Sequence, residues 1–348
     1  MNQKKTPTSY DVAKLAGVSP STISRFINRT SFVSDDKAQK IENAINVLGY
    51  KSNLQNNGQH NRRSMTIGAL VQHPDSPYTS QILNDMENVL IEQGYSFIIA
   101  SGHWQQKLSI HALQYLKQNN VDGVIIVTGN LSSQQILNFA ESTPVVTVGY
   151  NIESPNIRSI NLDNELGGYI ATLHLLQKGH VNIVHIKGLA SQPDSIARFN
   201  GYQRALKEWG LPIIPALVRE CDFSSKEAYQ QTLELINSNV KFSAVFAAND
   251  LSAYGVIKAL HDNNLRVPED ISVIGFDDLP TSEYFTPALT TLRQPIHALG
   301  TVSAHSILNL LGGQRYEARI PPIDLIVRDS TSEVNKNFLL RKKSFNEW

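Results

Sequence analysis

The stretch YDVAKLAGVSPSTISRFIN (residues 10–28) decides the fold of the amino-terminal region. It holds two short helical patterns, and Gly17 between them permits the positive φ that ends a helix. Ser19 is a good N-cap and Pro20 suits the first helical position, so the second helix has a well-marked start. The pattern predicts a helix, a tight turn and a second helix.

Apolar residues at helical spacing predict a small three-helix core. The expected inward-facing residues are Val12, Leu15 and Ala16 on the first helix, Ile23, Phe26 and Ile27 on the second, and Ala38, Ile41, Ala44, Ile45 and Leu48 on a third helix from Ser34 to Gly49. A helix, a tight turn and a helix form the helix-turn-helix arrangement, whose second helix enters the DNA major groove. Arg25 on that helix can bond guanine through two donors. A small bundle with a merely polar outer face is the alternative.

Charge is unevenly distributed along a chain that is neutral overall. Residues 1–63 carry ten lysines and arginines against four acidic residues, a net charge of +6, and the remaining residues carry −6. A basic head on a mildly acidic body indicates a polyanionic partner for the head. A solvated charged face is the alternative interpretation.

Composition limits the class of protein. A length of 348 residues suggests two or three domains, and no run approaches the roughly 18 apolar residues of a membrane span. The first residues lack the apolar segment of a secretory signal. The single cysteine, Cys221, has no internal disulfide partner. We therefore expect a cytoplasmic protein without membrane contact.

The sequence shows no sign of an enzyme. It has no phosphate-binding glycine loop, no nucleophile elbow and no Cys/His metal spacing. His174, His180 and His185 lie near one another, but we interpret them as core or helix-face residues. We expect no catalysis, no cofactor and no metal site.

Beyond residue 64 the chain alternates between strand-like and helical patterns. The strand-like runs are TIGALVQ (66–72), YSFIIAS (95–101), DGVIIVT (122–128), PVVTVG (144–149), NIVHIKG (182–188), AVFAAND (244–250) and ISVIGFDD (271–278). Such alternation favours parallel sheets covered by helices on both faces. Two consecutive rounds predict an α/β core of two doubly wound parallel-sheet lobes, with a ligand site at the carboxyl ends of the strands, between the lobes.

Polar and aromatic residues follow several of these strands. Asn249 and Asp277 end two of them, Arg198 lies on a helix near a strand end, and Phe223 follows the sequence ECD. Paired donors and acceptors beside an aromatic face suit a small polyhydroxylated molecule or a nucleobase. Asp250 and Asp278 are interpreted as caps or loop hydrogen-bonding residues.

The residues quoted above resemble the LacI/GalR family of transcriptional regulators. YDVAKLAGVSPSTISRFIN and VSDDKAQKIENAINVLGYKSN (33–53) are similar to its DNA-binding headpiece, and ARFNGYQRAL and FAANDLSAYG to its body, which resembles periplasmic sugar-binding proteins. The resemblance implies an all-α helix-turn-helix headpiece (1–52), a hinge (53–64) and a two-lobed effector-binding and dimerisation domain (65–330). A tail (331–348) lies beyond the resemblance.

The resemblance also implies two sets of binding residues. The DNA-binding set is Ser9, Tyr10, Ser19, Pro20, Ser21, Thr22, Ser24, Arg25, Asn28 and Asn53. The effector-binding set is Gln72, Ser76, Tyr78, Arg198, Phe223, Asn249 and Asp277. A further family contact after the fourth strand falls here on Gly149 or Tyr150, which departs from the usual Asp or Arg.

The hinge departs from the family pattern as well. Members of the family place Ala and Leu in a short hinge helix, and the Leu enters the minor groove and bends the duplex. Asn56 and Gln59 stand at those places here. We predict a weak bend, which the double substitution Asn56→Ala/Gln59→Leu should strengthen.

These features together predict a ligand-responsive, sequence-specific repressor of carbohydrate uptake or catabolism genes. Its partners would be a palindromic double-stranded operator, a sugar effector and a second copy of the chain, because one short recognition helix reads few base pairs. Two alternatives stay open: a regulator that responds to a nucleobase or nucleoside, and a sugar-binding protein without a role in gene control.

Overall fold

The chain forms two compact units, residues 1–63 and 64–348. A computed structural model describes residues 7–28, 32–48, 63–238, 240–314 and 319–335. Within those ranges no helix is both long and apolar enough to cross a membrane. Asn53, Asn56 and Gln59 lie outside the described residues, so the hinge hypothesis stays a prediction.

The first unit contains three helices: α1 (Ser9–Ala16), α2 (Pro20–Asn28) and α3 (Asp35–Leu48). Thr8 and Asp11 form a reciprocal capping box at the start of α1. Gly17, at a φ of 66°, ends that helix. Local sequence signals therefore set both ends of α1.

Six buried residues form the core of the first unit: Val12, Ala13, Ala16, Ile23, Ile41 and Ala44. The expectation for Leu15 is wrong, since its side chain is 51% exposed. The buried arc of α1 is centred close to Ala16, and at about 100° per residue Leu15 lies outside it. Ala13 takes the inward place instead.

The first lobe of the second unit is built on a five-stranded parallel sheet in the order β2-β1-β3-β4-β5. Its strands are β1 (Thr66–Val71), β2 (Ser96–Ser101), β3 (Gly123–Val127), β4 (Val145–Val148) and β5 (Ile157–Ile160). Its helices are α4 (Pro77–Glu92), α5 (Gln106–Gln118) and α6 (Ser133–Ala140). The central strands are apolar on both faces, as a sheet covered on both sides requires.

The second lobe is built on a six-stranded sheet in the order β11-β10-β9-β8-β6-β7, in which β11 alone runs antiparallel to its neighbour. Its strands are β6 (Ile183–Lys187), β7 (Val218–Glu220), β8 (Ala244–Ala247), β9 (Ser272–Asp277), β10 (Thr290–Arg293) and β11 (Asp324–Ile326). Its helices are α7 (Asn164–Gln177), α8 (Pro193–Glu208), α9 (Ser225–Asn237), α10 (Asp250–Asp262), α11 (Thr281–Tyr284) and a short 3-10 helix (Pro215–Leu217). The predicted fold class, a helical headpiece and two parallel-sheet lobes, is confirmed.

The last long helix, α12 (Ile296–Leu311), returns to the first lobe. Leu299 and Ile307 on α12 belong to the same buried cluster as Ile67 and Ile82 of that lobe. The chain order therefore departs here from two consecutive rounds, one for each lobe. The chain completes the first lobe only after building most of the second, because the apolar face of α12 fits against α4 and the first sheet.

An acidic residue anchors the start of the second unit. The Asp122 carboxylate accepts hydrogen bonds from the backbone N–H of Ser64 (2.7 Å), the hydroxyl of Ser64 (3.1 Å) and the backbone N–H of Met65 (2.9 Å). These bonds fix the position of Ser64 and Met65 directly before β1.

Candidate functional site

A cavity of about 420 Å³ lies where the carboxyl ends of the two sheets face each other. All seven residues of the predicted effector-binding set line it: Gln72, Ser76, Tyr78, Arg198, Phe223, Asn249 and Asp277. They come from both lobes and from sequence positions up to about 200 residues apart. The volume is in the range of small-molecule sites in proteins.

Arg198 is the fixed cation of the second-lobe wall. It is 5% exposed, its Nε donates to Asn164 Oδ1 (2.9 Å) and one terminal nitrogen donates to the carbonyl of Ala248 (2.6 Å). The guanidinium also stacks over the ring of Phe276, 3.7 Å from its centroid. These contacts hold the side chain in one orientation before any ligand arrives.

Asp277 ends β9 beside this arginine. Its backbone has a φ of 129°, a value that side chains other than glycine rarely adopt. Burial raises the pKa of the Asp277 carboxyl to about 8; Arg198 opposes that change and Asp250 adds to it. Gln294 donates to its Oδ1 at 2.6 Å. The strained backbone and the raised pKa are both typical of a binding site.

Asp194 is a second carboxylate on the same wall, and the sequence analysis missed it. Its Oδ1 accepts from Asn164 Nδ2 (2.9 Å), so Asn164 links it to Arg198. Burial raises the pKa of Asp194 and Arg198 opposes the change. The available signal was its position in the first turn of α8, four residues before Arg198 and hence on the same helix face.

Gly149 explains the departure noted after the fourth strand. A Cβ atom on Gly149 would lie 3.3 Å from Asp194 Oδ2, and its φ is 84°. The second lobe therefore places a carboxylate next to the position from which a first-lobe side chain would project. Tyr150 turns inward instead: it is 6% exposed, and its hydroxyl accepts from the N–H of Leu131.

An aromatic pair connects the two lobes at the cavity. Trp104 follows β2 and Phe223 follows β7, and their rings stack with centroids 6.1 Å apart and planes 24° apart. The backbone N–H of Trp104 donates to Gln72 Oε1 at 2.8 Å, and this bond holds the loop after β2 against the end of β1. Gly188 makes room for Phe223, since a Cβ there would lie 2.0 Å from the ring.

The first-lobe wall is polar but uncharged at its centre. Gln72 is 3% exposed, Ser76 stands at the N-cap of α4, and Tyr78 lies in the first turn of that helix. Burial raises the pKa of the Tyr78 phenol, and the negative charges of Asp194 and Asp277 add to the effect. Tyr78 therefore stays a neutral hydrogen-bonding group that faces the carboxylates of the other lobe.

The acidic residues interpreted as loop hydrogen-bonding groups have that role. Asp250 accepts from the N–H of Leu279 and from two hydroxyl groups, those of Ser282 and Thr291. Asp278 pairs with two arginines at 2.7 Å each, Arg293 and Arg328. Asn249 lines the cavity and also caps α10 by accepting from the N–H of Ser252.

The three clustered histidines lie away from the cavity lining, as expected of core residues. His185 is fully buried in a stack with Phe199, Tyr202 and Phe246, and burial lowers its pKa to about 3. His174 and His180 hydrogen-bond to Thr331 and Ser243, respectively. Within the described ranges no group of three or more metal-ligating residues occurs.

The predicted DNA-binding residues of the first unit are mostly exposed. Ser9, Tyr10, Ser19, Pro20, Ser21, Ser24 and Arg25 are exposed and Thr22 is half-buried. The side chain of Asn28 and all of Asn53 lie outside the described residues. Among the residues that the structure describes, Arg25 has no acidic partner, so its guanidinium is open to an anion or a base edge.

Hydroxyl groups are organised at the start of α2. The Ser19 oxygen lies 2.8 Å from the hydroxyl oxygens of both Ser21 and Thr22, and it accepts from the Thr22 N–H at 3.2 Å. The helix amino terminus and these hydroxyl groups together form a donor-rich surface beside Arg25. Such a surface suits phosphate oxygens and the edges of bases.

Two family models match the chain. Residues 8–53 match "Bacterial regulatory proteins, lacI family", and residues 64–328 match "Periplasmic binding proteins and sugar binding domain of LacI family". The first match lies within the first compact unit, and the second match covers most of the two-lobed unit.

Full-length relatives agree with these matches. The transcriptional repressor PurR of Aliivibrio salmonicida is 32% identical over 315 residues, 90% of this chain and 95% of that protein. The transcriptional regulator DegA of Bacillus subtilis is 32% identical over 334 residues, 94% of this chain and 99% of that protein.

Solved structures give the same result. The regulator CelR in complex with cellobiose is 29% identical, with a TM-score of 0.68, over 93% of this chain and 99% of its own. The lac repressor dimer bound to operator and an anti-inducer is 30% identical, with a TM-score of 0.70, over 94% of this chain and 100% of its own. The chain therefore belongs to the LacI family of bacterial regulatory proteins, as a DNA-binding transcriptional repressor and not an enzyme.

Proposed function

We propose that this repressor binds a palindromic operator as a homodimer in the cytoplasm and that a sugar in the interlobe cavity controls its operator affinity. The observation that carries the proposal is the lining of the cavity. It combines a fixed guanidinium, two carboxylates, several amides and a stacked aromatic pair. Sugars present both hydroxyl groups, which such polar groups bind, and apolar ring faces, which pack on aromatic rings.

The headpiece would read the operator with α2. Arg25 is its strongest candidate for a base contact, because a guanidinium can bond guanine through two donors. Ser19, Ser21 and Thr22 would hold phosphate or base-edge oxygens from the start of the helix. Pro20 offers no side-chain hydrogen bond, so it would contribute apolar contact only.

The cavity would receive the effector between the lobes. Arg198, Asn249 and Asp277 would hydrogen-bond its hydroxyl groups, and Phe223 with Trp104 would cover a ring face. A relative from Enterococcus faecium that was solved with bound ribose is 30% identical, with a TM-score of 0.69, over 78% of this chain and 100% of its own. That relative and CelR with cellobiose support a sugar as the first choice.

Closure of the lobes would couple the two sites. A ligand that contacts both walls favours the closed arrangement, and in a dimer that change alters the spacing of the two headpieces. Any effect of the sugar on operator affinity equals the effect of the operator on sugar affinity.

The proposal can be tested with the purified full-length protein. Fragmented DNA from its source organism would be incubated with it, and the retained fragments sequenced, with and without a panel of sugars and nucleosides. We expect one enriched palindrome whose retention changes with one sugar, and the direction of change gives the sign of regulation. Sedimentation should show a dimer.

Two variants serve as controls for this experiment. Arg25→Ala should weaken the enrichment while sugar binding persists, and Arg198→Met should abolish the sugar response while enrichment persists. A response to nucleosides alone would replace the sugar with a nucleobase ligand. Enrichment of no sequence at low salt would contradict the operator-binding proposal.

A further inference from the structure

The order of the strands places the aromatic pair of Trp104 and Phe223 at one particular side of the cleft. The chain passes between the lobes at residues 161–163, after the edge strand β5, and at residues 294–295, after β10, the neighbour of the edge strand β11. The edge strands on the far side of the two sheets are β2 and β7. Trp104 follows β2 and Phe223 follows β7. The pair therefore lies at the mouth of the cavity, the side opposite the interlobe connections.

The two rings leave no passage for a ligand between them. Their centroids are 6.1 Å apart and their planes differ by 24°. A flat group placed between two stacked rings needs about 7 Å between the centroids, twice the contact distance of carbon atoms. Both residues are half-buried and line the cavity. The pair therefore closes this part of the cavity wall.

Unusual backbone conformations position both rings. His103, Trp104 and Phe223 have φ values of 47°, 55° and 67°, in the left-handed region that residues other than glycine rarely adopt. Such conformations persist only where surrounding contacts enforce them, and they are concentrated at ligand-binding sites and moving segments. Their occurrence on both sides of one contact indicates that the contact has a function beyond packing.

Contacts within each lobe hold these conformations. On the first lobe, the backbone N–H of Trp104 donates to Gln72 Oε1 (2.8 Å), and its carbonyl accepts from Asn130 Nδ2 (2.6 Å). On the second lobe, the Phe223 ring lies against the backbone of Gly188, where a Cβ atom would be 2.0 Å from the ring. Each ring is therefore tied to its own lobe, so the mouth opens when the lobes move apart.

The cavity behind the pair is compact. Its volume of about 420 Å³ is near the lower end of the range of about 300–1,000 Å³ found for small-molecule sites. A ligand of one ring system can be enclosed while the mouth is closed. A ligand that carries a second ring into the mouth keeps Trp104 and Phe223 apart, and it loses both their contact and the closed arrangement of the lobes.

We propose that Trp104 is a specificity-determining residue: with Phe223 it closes the mouth of the cavity over the effector, so that the site accepts a compact ligand of one ring system and rejects one that extends a second ring through the mouth. This inference rests on the proposed effector site and deepens it by limiting the size of the effector.

The test compares ligands in matched pairs on the full-length protein. Glucose with cellobiose, and adenine with adenosine, each combine a compact ligand with an extended one that contains it. Calorimetry would measure their binding to wild type, Trp104→Ala and Trp209→Ala, the last of which replaces a half-exposed tryptophan outside the cavity lining. In at least one pair, wild type should bind the compact ligand about 100-fold more tightly than the extended one. Trp104→Ala should reduce that ratio about tenfold, and Trp209→Ala should leave it unchanged.

These outcomes separate the size limit from the choice of effector. A wild type that binds the extended ligand as tightly as the compact one overturns the inference, as does an unchanged ratio in Trp104→Ala. Binding of adenine without binding of glucose contradicts the sugar proposal and supports the size limit.

A second measurement needs no ligand. Replacing Trp209 and Trp348 by Phe leaves Trp104 as the single tryptophan of the chain. Acrylamide should then quench its fluorescence about threefold less efficiently than after the further change Phe223→Ala, because the stacked ring shields it. Such a difference supports the closed mouth even where no compound of the panel binds. Equal quenching shows that the mouth is open in solution and overturns the inference.

Discussion

The headpiece surface and the interlobe cavity present similar polar groups in opposite environments. Arg25 is exposed and has no acidic partner among the described residues, whereas Arg198 is 5% exposed and bonded to Asn164 and Ala248. Hydroxyl groups at the start of α2 contact one another in solvent, and the carboxylates of the cavity are desolvated enough to change their pKa values.

The difference teaches how each surface can gain specificity. An exposed arginine keeps its hydration until it reaches DNA, so its removal costs the protein little and the complex much. A buried arginine supports neighbours of opposite charge, so its removal affects the free protein as well as the complex. Substitutions in the headpiece should therefore lower binding affinity alone, whereas substitutions in the cavity should lower both binding affinity and stability.

The largest expected effect comes from Arg198→Met. It leaves the Asn164 amide oxygen and the Ala248 carbonyl without their charged donor, and loss of a hydrogen bond to a charged group typically costs about 1.5–3 kcal/mol of unfolding free energy. Urea titration should show that loss, and calorimetry should show no sugar binding. Arg204→Met on the same helix breaks only exposed pairs with Glu165 and Glu208 and should cost less than about 1 kcal/mol. Equal losses of unfolding free energy in the two variants would contradict the expected difference between a buried and an exposed arginine.

The next effect comes from Arg25→Ala. One bidentate base contact discriminates by about 1–3 kcal/mol, so operator affinity should fall about 5- to 150-fold. Fluorescence anisotropy on operator and on scrambled DNA measures it, and the thermal stability should be unchanged. Lys258→Ala, in the exposed pair with Asp262, is the charge-matched control and should leave operator affinity unchanged. A loss that is equal on scrambled DNA would assign Arg25 to a phosphate.

A pH dependence should distinguish the cavity from the headpiece. The pKa of Asp277 is raised in the folded state to about 8, so the folded state holds a proton there that the unfolded state has lost at neutral pH. Its contribution to stability is full below the pKa of the unfolded carboxyl and is lost as the pH rises through about 8. Burial lowers the pKa values of His174 and His185, so these two groups change stability mainly at more acidic pH.

Thermal unfolding between pH 7 and pH 9 measures this effect. The Tm of wild type should fall across that range and then level off, whereas Asp277→Asn should show a flatter profile. The exposed Asp324→Asn variant should follow the wild type. A wild-type profile that rises from pH 7 to pH 9 would contradict the assignment.

The smallest expected effect concerns the aromatic pair. Trp104→Leu removes the partner of Phe223, and such pairs contribute about 0.5–1.5 kcal/mol beyond area burial, so sugar affinity should fall about 2- to 13-fold. Calorimetry measures the change, and operator affinity without sugar should stay as in wild type. Trp209→Leu changes a half-exposed tryptophan outside the cavity lining and is the matched control. Tighter sugar binding by Trp104→Leu would show that the pair obstructs the site.

Local signals allowed the headpiece to be predicted almost completely. Gly17, Ser19 and Pro20 each determine backbone geometry at their own positions, and the capping residues lie within a few positions of what they cap. Leu15 was placed wrongly because a two-turn helix has few apolar residues from which to locate its buried face. There the pattern was too short to decide.

Cavity residues could be predicted from the sequence only where they lie at the end of a strand with a clear apolar pattern. Asn249 comes shortly after β8 and Asp277 is the last residue of β9, and both strands are strongly apolar, so the carboxyl-end rule located these two residues. Gln294 follows β10, a strand of four residues with little pattern, and Trp104 lies in a loop whose direction depends on hydrogen bonds to Gln72 and Asn130. Long-range packing, not local preference, places those two residues.

The return of α12 to the first lobe limits where this chain can be joined to a relative. In a chimaera joined within 161–163, the first sheet would come from one parent and α12, which covers it, from the other. The buried cluster between them would then combine side chains from two different proteins. A junction before Ser64 leaves both units whole, because Asp122 anchors the following segment from within its own lobe. We therefore expect the headpiece of this chain to be exchangeable as one segment, and the two lobes to be exchangeable only together.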